Sequence, residues 1–317
     1  MNKFQISFTV VIPTYNHADF LFNALQSVLN QTYQNFEVIV IDNNSEDNTV
    51  EVVSNFNDSR IKLHKINNNG VIASSRNLGI EKASNEWIAF LDSDDIWYPN
   101  KLSKVKKCLQ KNNSYDVLST NEYKVYQDSS RKKILSYGPL YKDSYKHLLI
   151  YGNRLSPSAT VVRKSFLQKN SIKFNENIDF ITVEDYDFWL QLAFHKANFK
   201  FIHSVQGEYL VHGFNNSSRE QIHKKNEIYL LEHHIFDFQK FTNNKIKLKK
   251  RIDCRLKLHK SIYDLRKINI LSFIIDFSKV IIKYPLQSST YLFERLYSKF
   301  YNKVSSILFG LKAYNKD

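Results

Sequence analysis

The chain has 317 residues, of which 43% are hydrophobic and 24% charged, the composition of an ordinary soluble protein with room for one large α/β domain and an appendage. No apolar run approaches the ~20 residues that a membrane-spanning helix needs, and the start of the chain shows no signal-peptide pattern. The two cysteines, Cys108 and Cys254, lie far apart without a metal or redox spacing, so we expect a cytoplasmic protein.

Strands and helices are predicted to alternate from residue 8 to residue 91. A β-rich apolar run begins at Phe8 and is expected to end at Pro13, because proline cannot donate a ladder hydrogen bond. The later elements are a helix over 20–29, a strand over 36–42, a short helix over 50–55, a strand over 61–64, a helix that begins after Gly70 and a strand over 87–91. Nearly continuous apolar strands in this order predict a mostly parallel sheet covered by helices on both faces.

The strand over 87–91 ends abruptly in Asp92-Ser93-Asp94-Asp95. Three carboxylates packed this closely repel one another and resist burial. A hard divalent cation is the usual compensation, and Mg²⁺ takes one or two protein carboxylates together with substrate phosphates. The plainer alternative is a polar turn, because Asp and Ser are ordinary turn residues.

Polar segments also follow the first two predicted strands, at 13–16 and 42–47. Ligands of parallel sheets bind beyond the carboxyl ends of the strands, so one crevice should gather both segments together with 92–95. No G-x-G-x-x-G and no G-x-x-x-x-G-K-[ST] is present, which argues against a dinucleotide fingerprint and a P-loop. The sequence therefore predicts a polar, acid-lined site at this edge of the sheet.

A second acidic cluster lies at 184–187, where it opens an amphipathic helix. Acids in a first helical turn are also common simply because they suit the helix dipole. Before this cluster we expect a helix over 101–111, a loosely patterned region over 115–151 with strands near 117–120 and 133–137, a strand over 158–163 and a short helix over 164–170. After it, a strand over 208–212 ends in His212, and a lone histidine in such a place is more often structural than a ligand.

The last third of the chain is basic and helical. Residues 215–317 hold 21 Lys and Arg against nine Asp and Glu, and helices are predicted over 222–241, 245–267 and 268–282. Basic amphipathic helices can lie on an anionic membrane surface; alternatively they pack on the catalytic domain with solvated outer faces. We divide the chain into a catalytic domain over 1–215 and a basic helical region over 216–317 that contacts the acceptor, the membrane or both.

Five ordered blocks together resemble the family 2 glycosyltransferases with the GT-A fold that build bacterial surface polysaccharides, and the resemblance covers about residues 6–215. Each block alone is weakly specific, whereas the five in this order and spacing are specific. The blocks are Val10-Val11-Ile12-Pro13-Thr14-Tyr15-Asn16, Ile41-Asp42-Asn43-Asn44-Ser45-Glu46-Asp47-Asn48-Thr49, Asn68-Asn69-Gly70-Val71 with Arg76-Asn77-Leu78-Gly79, Phe90-Leu91-Asp92-Ser93-Asp94-Asp95, and Glu184-Asp185-Tyr186-Asp187-Phe188-Trp189-Leu190.

The resemblance implies which residues bind the donor. The turn formed by Pro13, Thr14 and Tyr15 would pack against the donor nucleotide, and Asp42 would accept a hydrogen bond from the base, as it does with uracil in relatives that use UDP-sugars. Asn68 and Arg76 would help to hold the nucleotide and its diphosphate.

The resemblance also implies a metal site and a base. Asp92, Ser93 and Asp94 would be the family's D-x-D motif, with Asp92 towards the ribose and metal and Asp94 as the principal carboxylate on Mn²⁺ or Mg²⁺. His212 matches a histidine near the diphosphate, although relatives commonly carry Arg where this chain has Leu210. In the second cluster, the implied catalytic base is Asp185, and Glu184 would position or support it.

The implied activity is a metal-dependent, inverting transfer of a hexosyl or N-acetylhexosaminyl group from a nucleotide-diphospho-sugar, with UDP as the expected nucleotide. The implied acceptor is a hydroxyl of a saccharide or lipid-linked molecule in capsule or O-antigen synthesis, at the inner face of the plasma membrane. A sugar-nucleotide nucleotidyltransferase would need a Gly-rich loop after the first strand, where 13–16 has no glycine. The alternative is an inactive homologue or a basic nucleic-acid or scaffold-binding protein, but no nucleic-acid partner is expected, because no recognised module is visible.

Overall fold

The computed structural model describes residues 5–127, 129–138, 140, 143–212, 220–238, 245–266, 270–285 and 287–289. In these ranges nine strands form one sheet, in the order β3-β2-β1-β4-β8-β6-β9-β5, with β7 paired to β6. The strands are β1 (Phe8–Thr14), β2 (Phe36–Asp42), β3 (Ile61–Lys65), β4 (Trp87–Phe90), β5 (Ile96–Trp97), β6 (Val117–Tyr126), β7 (Ser129–Leu135), β8 (Thr160–Arg163) and β9 (Phe199–Val211). The half that contains β3, β2, β1 and β4 is parallel, and β6 and β9 also pair in parallel.

Helices cover this sheet and make up the basic part of the chain. They are α1 (Ala18–Leu29), α2 (Thr49–Asn55), α3 (Ile72–Lys82), α4 (Lys101–Lys111), α5 (Ser144–Tyr151), α6 (Lys164–Lys169), α7 (Glu184–Phe194), α8 (Glu220–His233), α9 (Lys245–Arg266) and α10 (Ile270–Lys283). A single 3₁₀ turn, Ile178–Phe180, precedes α7, and a π-helical segment, His234–Phe238, follows α8. No helix in the described ranges is both long and apolar enough to cross a bilayer.

The core lies between the parallel strands and their helices. Every residue of β1, β2 and β4 is buried, as the continuous apolar runs predict. Helix α3 approaches β1 so closely that a Cβ atom added at Gly79 would lie 2.2 Å from Cγ1 of Val11. Only glycine fits this crossing, and the close approach of α3 sets the position of Arg76, one turn earlier in the same helix.

The first strand does not stop at Pro13, contrary to the sequence-based expectation, but continues to Thr14. The backbone of Val11 faces β4, since its carbonyl accepts a hydrogen bond from Leu91. Because backbone direction alternates along a strand, Pro13 faces the same way, and the pairing with β4 has already ended at Val11. In the residues that the structure describes, no strand lies opposite Pro13 on that side, so its lack of an N–H costs the sheet no hydrogen bond.

The chain divides into two compact units, one of Met1–Tyr145 with Asn153–Glu227 and one of Lys146–Gly152 with Ile228–Asp317. The second unit has a small core of its own between α9 and α10, formed by Cys254, Leu258, Val280 and Tyr284. The predicted boundary between residues 215 and 216 lies outside the described residues.

Candidate active site

Three polar segments meet at the carboxyl edge of the parallel strands, as the sequence predicts. β1 ends in Thr14 beside Asp42 at the end of β2, and the two residues are register partners. β4 lies on the other side of β1 and leads directly into the acidic segment 92–95. The sheet order β2-β1-β4 therefore brings the predicted nucleotide residues and the predicted D-x-D motif to one edge.

The ends of β1 and β2 present two buried oxygen atoms that lack hydrogen bonds. The carboxylate of Asp42 is fully buried, and its Oδ1 accepts hydrogen bonds from the N–H and the hydroxyl of Ser45, at 2.9 and 2.5 Å. Among the described residues, neither Oδ2 of Asp42 nor Oγ1 of Thr14 has a partner. Buried polar atoms are normally paired, so this pair of oxygens marks a place for a ligand. Tyr15 stands next to it with 52% of its surface exposed.

Asn68 makes hydrogen bonds within its own loop and to neighbouring residues. Its Nδ2 donates to Oγ of Ser75 at 2.9 Å, its Oδ1 accepts from the N–H of Gly70, and its own N–H donates to Oδ1 of Asn43. These bonds fold the turn that opens α3, in which Gly70 takes a positive φ of 80°. The structure thus gives Asn68 a bracing role, and its contact with a nucleotide stays a prediction.

Arg76 joins the two acidic clusters. It is 3% exposed; its Nη2 donates to Oδ1 of Asp92 and its Nη1 to Oε1 of Glu184, both at 2.8 Å. Burial opposes the charge of the guanidinium, but the two carboxylates outweigh it and hold the pKa of Arg76 above its usual range. The resemblance implies that Arg76 helps to hold the diphosphate, and that role stays a prediction; in the structure its side chain donates to the two acids. This bridge brings the end of β4 and the start of α7 into one site.

Asp185, the predicted base, lies beside this bridge in the first turn of α7 and is partly exposed. Its Oδ2 accepts a hydrogen bond from Nδ2 of Asn153 at 3.0 Å, and its Oδ1 accepts from the N–H of Tyr186. Burial and the neighbouring Glu184 raise the pKa of Asp185 to about 6, against the opposing charge of Arg76. A carboxylate with a pKa close to neutral is suited to proton transfer.

Asp94 and His212 form the other end of the site. The Nε2 of His212 lies 2.9 Å from Oδ2 of Asp94, and the imidazole, which is enclosed, stacks on Phe20 at 4.8 Å. Ser93, between the two predicted metal carboxylates, is within 3.2 Å of Nδ1 of His17. Burial and the charge of Asp92 raise the pKa of Asp94. The structure thus places His212, at the end of β9, next to Asp94 in the predicted D-x-D motif at the end of β4.

These groups fit a divalent cation of the kind that shares its coordination with substrate phosphates. Within the part of the chain that is described, no three His, Cys, Asp or Glu residues are grouped as a complete protein metal site. Mg²⁺ and similar ions need only one or two protein carboxylates when phosphates supply further oxygens. The Asp94 side chain is only 14% exposed and is repelled by Asp92, so a cation there would offset unfavourable negative charge.

Several residues of the site give no local signal in the sequence. His17 and Phe20 lie on the turn and helix after β1, Asn153 follows α5, and Ser158 precedes β8. His17, Asn153 and Ser158 reach the acidic segments across 32 to 76 positions of the chain, and Phe20 stacks on His212. Only their place in the folded sheet brings them there, and no spacing rule finds such contacts.

Comparison with known proteins gives a family match. A family model described as glycosyl transferase family 2 matches residues 9–170, just over half of the chain. UDP-Glc:alpha-D-GlcNAc-diphosphoundecaprenol beta-1,3-glucosyltransferase WfgD from Escherichia coli is 40% identical over 127 residues, which is 38% of this chain and 49% of that protein. The chain matches between 15% and 61% of the length of three such curated relatives.

Solved structures resemble the chain over most of its length. S. aureus TarS 1-349 in complex with UDP-GlcNAc aligns with a TM-score of 0.57 and 17% identity, over 84% of this chain and 89% of that one. Mannosyltransferase PcManGT from Pyrobaculum calidifontis in complex with GDP-Man and Mn²⁺ aligns with a TM-score of 0.60 and 15% identity, over 99% of this chain and 88% of that one. At such identities the likeness concerns the fold alone, and it confirms the predicted GT-A fold.

Proposed function

The chain belongs to glycosyl transferase family 2, and we propose that it is a glycosyltransferase that moves a sugar from a UDP-sugar to a hydroxyl of a saccharide or lipid-linked acceptor. The transfer would be metal-dependent, would invert the anomeric centre, and would serve cell-surface polysaccharide synthesis such as capsule or O-antigen. One observation carries the proposal: Arg76 bonds both Asp92 and Glu184. Donor-side acids and the predicted base therefore share one site.

The nucleotide would be bound at the ends of β1 and β2. The unpaired Oδ2 of Asp42 is an acceptor, and the N3–H of uracil is a donor that would satisfy it. Thr14 adds a second unpaired oxygen next to it, and the exposed ring of Tyr15 offers an apolar face for the base. The names of a relative and of a fold neighbour, with UDP-Glc and UDP-GlcNAc, support the same choice of base.

Replacement of Asp42 by Asn tests the choice of base. In Asp42→Asn, Oδ1 can still accept from Ser45, but an N–H donor replaces Oδ2 and opposes the N3–H of uracil. We expect UDP to bind at least about tenfold more weakly, a loss of roughly 1.4 kcal/mol, by calorimetry. Asp58→Asn is the control, since Asp58 pairs with Arg60 in the loop before β3. Unchanged affinity in Asp42→Asn would exclude this contact.

A bound Mn²⁺ or Mg²⁺ would be held by Asp94, with Asp92 and His212 close by, and would act as a Lewis acid on the diphosphate leaving group. Arg76 contributes a fixed positive charge beside Asp92. His17 and Phe20 keep the imidazole of His212 in its place against Asp94.

Asp185 would take the proton of the acceptor hydroxyl as the oxygen attacks the anomeric carbon. A sugar hydroxyl is a weak nucleophile, so a positioned carboxylate must receive this proton. Attack on the face opposite the diphosphate inverts the anomeric centre. Asn153 orients the carboxylate through its bond to Oδ2, and Glu184, held by Arg76, lies next to it in the first turn of α7.

The second unit would contact the membrane surface, where a lipid-linked acceptor would bind. Two isoleucines on its helices are largely exposed, Ile246 at 73% and Ile282 at 80%. Lysines flank them in α9 and α10, among them Lys247, Lys250 and Lys283, whose positions are also exposed. Exposed apolar side chains beside cationic ones are typical of a helix that lies on an anionic bilayer. The enzyme would then work peripherally at the inner face of the plasma membrane.

Vesicle flotation tests this surface. We expect the protein to float with vesicles that contain anionic lipid and not with neutral ones, and we expect Ile246→Asp with Ile282→Asp to lose most of the floating fraction. Lys107→Gln with Lys111→Gln, in α4 of the first unit, controls for net charge, because both double variants lower it by two. If the two double variants float equally, the second unit is not the membrane contact.

The decisive experiment for the whole proposal is a panel of nucleotide-sugars incubated with Mn²⁺ or Mg²⁺, with release of free nucleotide as the readout. We expect UDP release from one or more UDP-sugars, loss of release on chelation, and loss in Asp94→Ala with the fold intact by circular dichroism. Salt-sensitive binding of RNA or DNA without turnover of any donor would instead favour the basic binding protein.

A further inference from the structure

Asp95, the last acid of the segment after β4, is 2% exposed. Its Oδ2 accepts a hydrogen bond from the hydroxyl of Ser158 at 2.5 Å. Its Oδ1 accepts from the backbone N–H of Leu210 at 3.0 Å. A buried carboxylate is costly unless its oxygens are paired, and both oxygens of Asp95 are paired, with groups on two other segments of the sheet.

Ser158 connects this carboxylate to the predicted D-x-D motif. While its hydroxyl donates to Asp95, the same oxygen accepts a hydrogen bond from the N–H of Asp92 at 3.0 Å. A serine hydroxyl has one donor and two acceptor positions, so it can make both bonds at once. The carbonyl of Ser158 also accepts from Nε1 of Trp97, at 2.8 Å, in β5. Ser158 therefore bonds the backbone of Asp92 before Asp94 and the side chains of Asp95 and Trp97 after it.

The bond to Leu210 fixes the position of the last residues of β9 along the strand direction, relative to Asp95. His212 lies two positions beyond Leu210, and its Nε2 is 2.9 Å from Asp94. A strand that slipped by one residue would move by about 3.3 Å, which would break that contact. The bond uses the backbone of Leu210, so it does not depend on the side chain with which this chain departs from its relatives.

β5, which begins immediately after Asp95, also pairs with β9. Its residue Ile96 pairs with Glu208 and Trp97 pairs with Gly207 in β9. A Cβ atom at Gly207 would lie 2.7 Å from the carbonyl oxygen of Ile96, so the two strands meet closely only because this residue is glycine. Three successive residues, Asp95, Ile96 and Trp97, thus join this part of the chain to β9.

We propose that Asp95 is a positioning residue that, through Ser158 and Leu210, holds Asp92, Asp94 and His212 in mutual register for the diphosphate end of the donor. That these residues hold the diphosphate rests on the proposed function. The relative positions of Asp92, Asp94 and His212, however, are a property of the chain without donor or metal. Asp95 touches neither substrate nor metal in this role. Loss of its two bonds leaves Leu210 and Ser158 without their contacts to this carboxylate, and His212, two residues beyond Leu210, then loses its fixed distance to Asp94.

Three variants separate positioning from general stability. Asp95→Ala removes both bonds, and Ser158→Ala removes the link to Asp92 but keeps the carboxylate. Asp95→Asn is the conservative variant, because its oxygen can accept from Leu210 while its amide donates to Ser158. The control is Glu37→Gln, a change in another buried carboxylate, which accepts from Thr9 and Ser84 near the start of β1.

The readout without metal is the NMR signal of the His212 imidazole, assigned by its absence in His212→Gln. We expect this signal to move in Asp95→Ala and Ser158→Ala, and to keep its wild-type position in Asp95→Asn and Glu37→Gln. An unmoved signal in folded Asp95→Ala or Ser158→Ala overturns the proposal. If Asp95→Ala does not fold, Ser158→Ala decides the same question.

The readout with donor is the Mn²⁺ concentration that gives half of the maximal rate. We expect it to rise at least tenfold in Asp95→Ala and less than threefold in Asp95→Asn, while UDP affinity without metal stays within twofold of wild type. An unchanged half-maximal concentration in active Asp95→Ala overturns the proposal. If wild type releases no nucleotide from any donor, the proposed function fails, whereas the His212 signal still tests the register.

Discussion

Asp185→Asn should lower kcat about 10³-fold while donor binding stays within twofold of wild type. The amide is nearly the size of the carboxylate but cannot accept the proton of the acceptor hydroxyl, and a general base contributes about 10²- to 10⁴-fold to such a step. The measurement is UDP release with saturating donor and acceptor, together with calorimetric binding of UDP. Asp187→Asn is the matched control, because this buried acid of the same helical turn accepts a bond from Gln191.

The pH dependence gives the same residue a second test. Burial and Glu184 raise the pKa of Asp185 to about 6, and only the deprotonated form can act as a base. The rate of the wild type should therefore be constant above about pH 7 and fall as the pH drops through 6. Residual activity of Asp185→Asn should lack this decline. A variant with wild-type kcat, or with the same decline at low pH, would exclude Asp185 as the base.

Arg76→Met should cost about 3–5 kcal/mol of unfolding free energy, which is a fall in Tm of roughly 10 °C for a domain of this size. The methionine fills similar space, but Glu184 is left buried and Asp92 partly buried without their cation, since their side chains are 10% and 27% exposed. Chemical denaturation measures the free energy. The same variant should lose transferase activity, because the two acidic clusters lose their connection.

Arg60→Met is the control for loss of an arginine. Arg60 pairs with Asp58 at 2.6 Å, but both side chains are partly exposed, so the expected loss is below about 1 kcal/mol. The double variant Arg76→Met with Glu184→Gln should recover part of the lost stability, because it removes one of the unpaired charges. Equal losses for Arg76→Met and Arg60→Met would contradict a buried bridge.

The sequence predicts the parallel half of the fold well, because each of its strands is a short, continuous apolar run with a polar end. That pattern is local, so the shared carboxyl edge and the acidic segment 92–95 follow from the chain order alone. The predicted helix start at Glu184 is confirmed for the same reason. These are the features that depend only on neighbours along the chain.

The rest depends on contacts between distant segments. The weak pattern of 115–151 predicts strands near 117–120 and 133–137, but neither the full length of β6 nor its pairing with β7, and β9 is a long strand whose lysines and tyrosines conceal its alternation. The bridge made by Arg76 requires α3 to lie against β1, which Gly79 permits, and α7 to arrive from more than a hundred residues later. No spacing in the sequence encodes that meeting.

The single guanidinium shared by Asp92 and Glu184 constrains how such an enzyme can diversify. Each acid lies 2.8 Å from a nitrogen of the same guanidinium, so a substitution of either one changes the charge balance that the other depends on, and the two acids cannot vary independently. New sugar preferences and new acceptors must then arise in segments outside this trio. An engineer who wishes to change selectivity should leave the three residues untouched and randomise the surrounding loops instead.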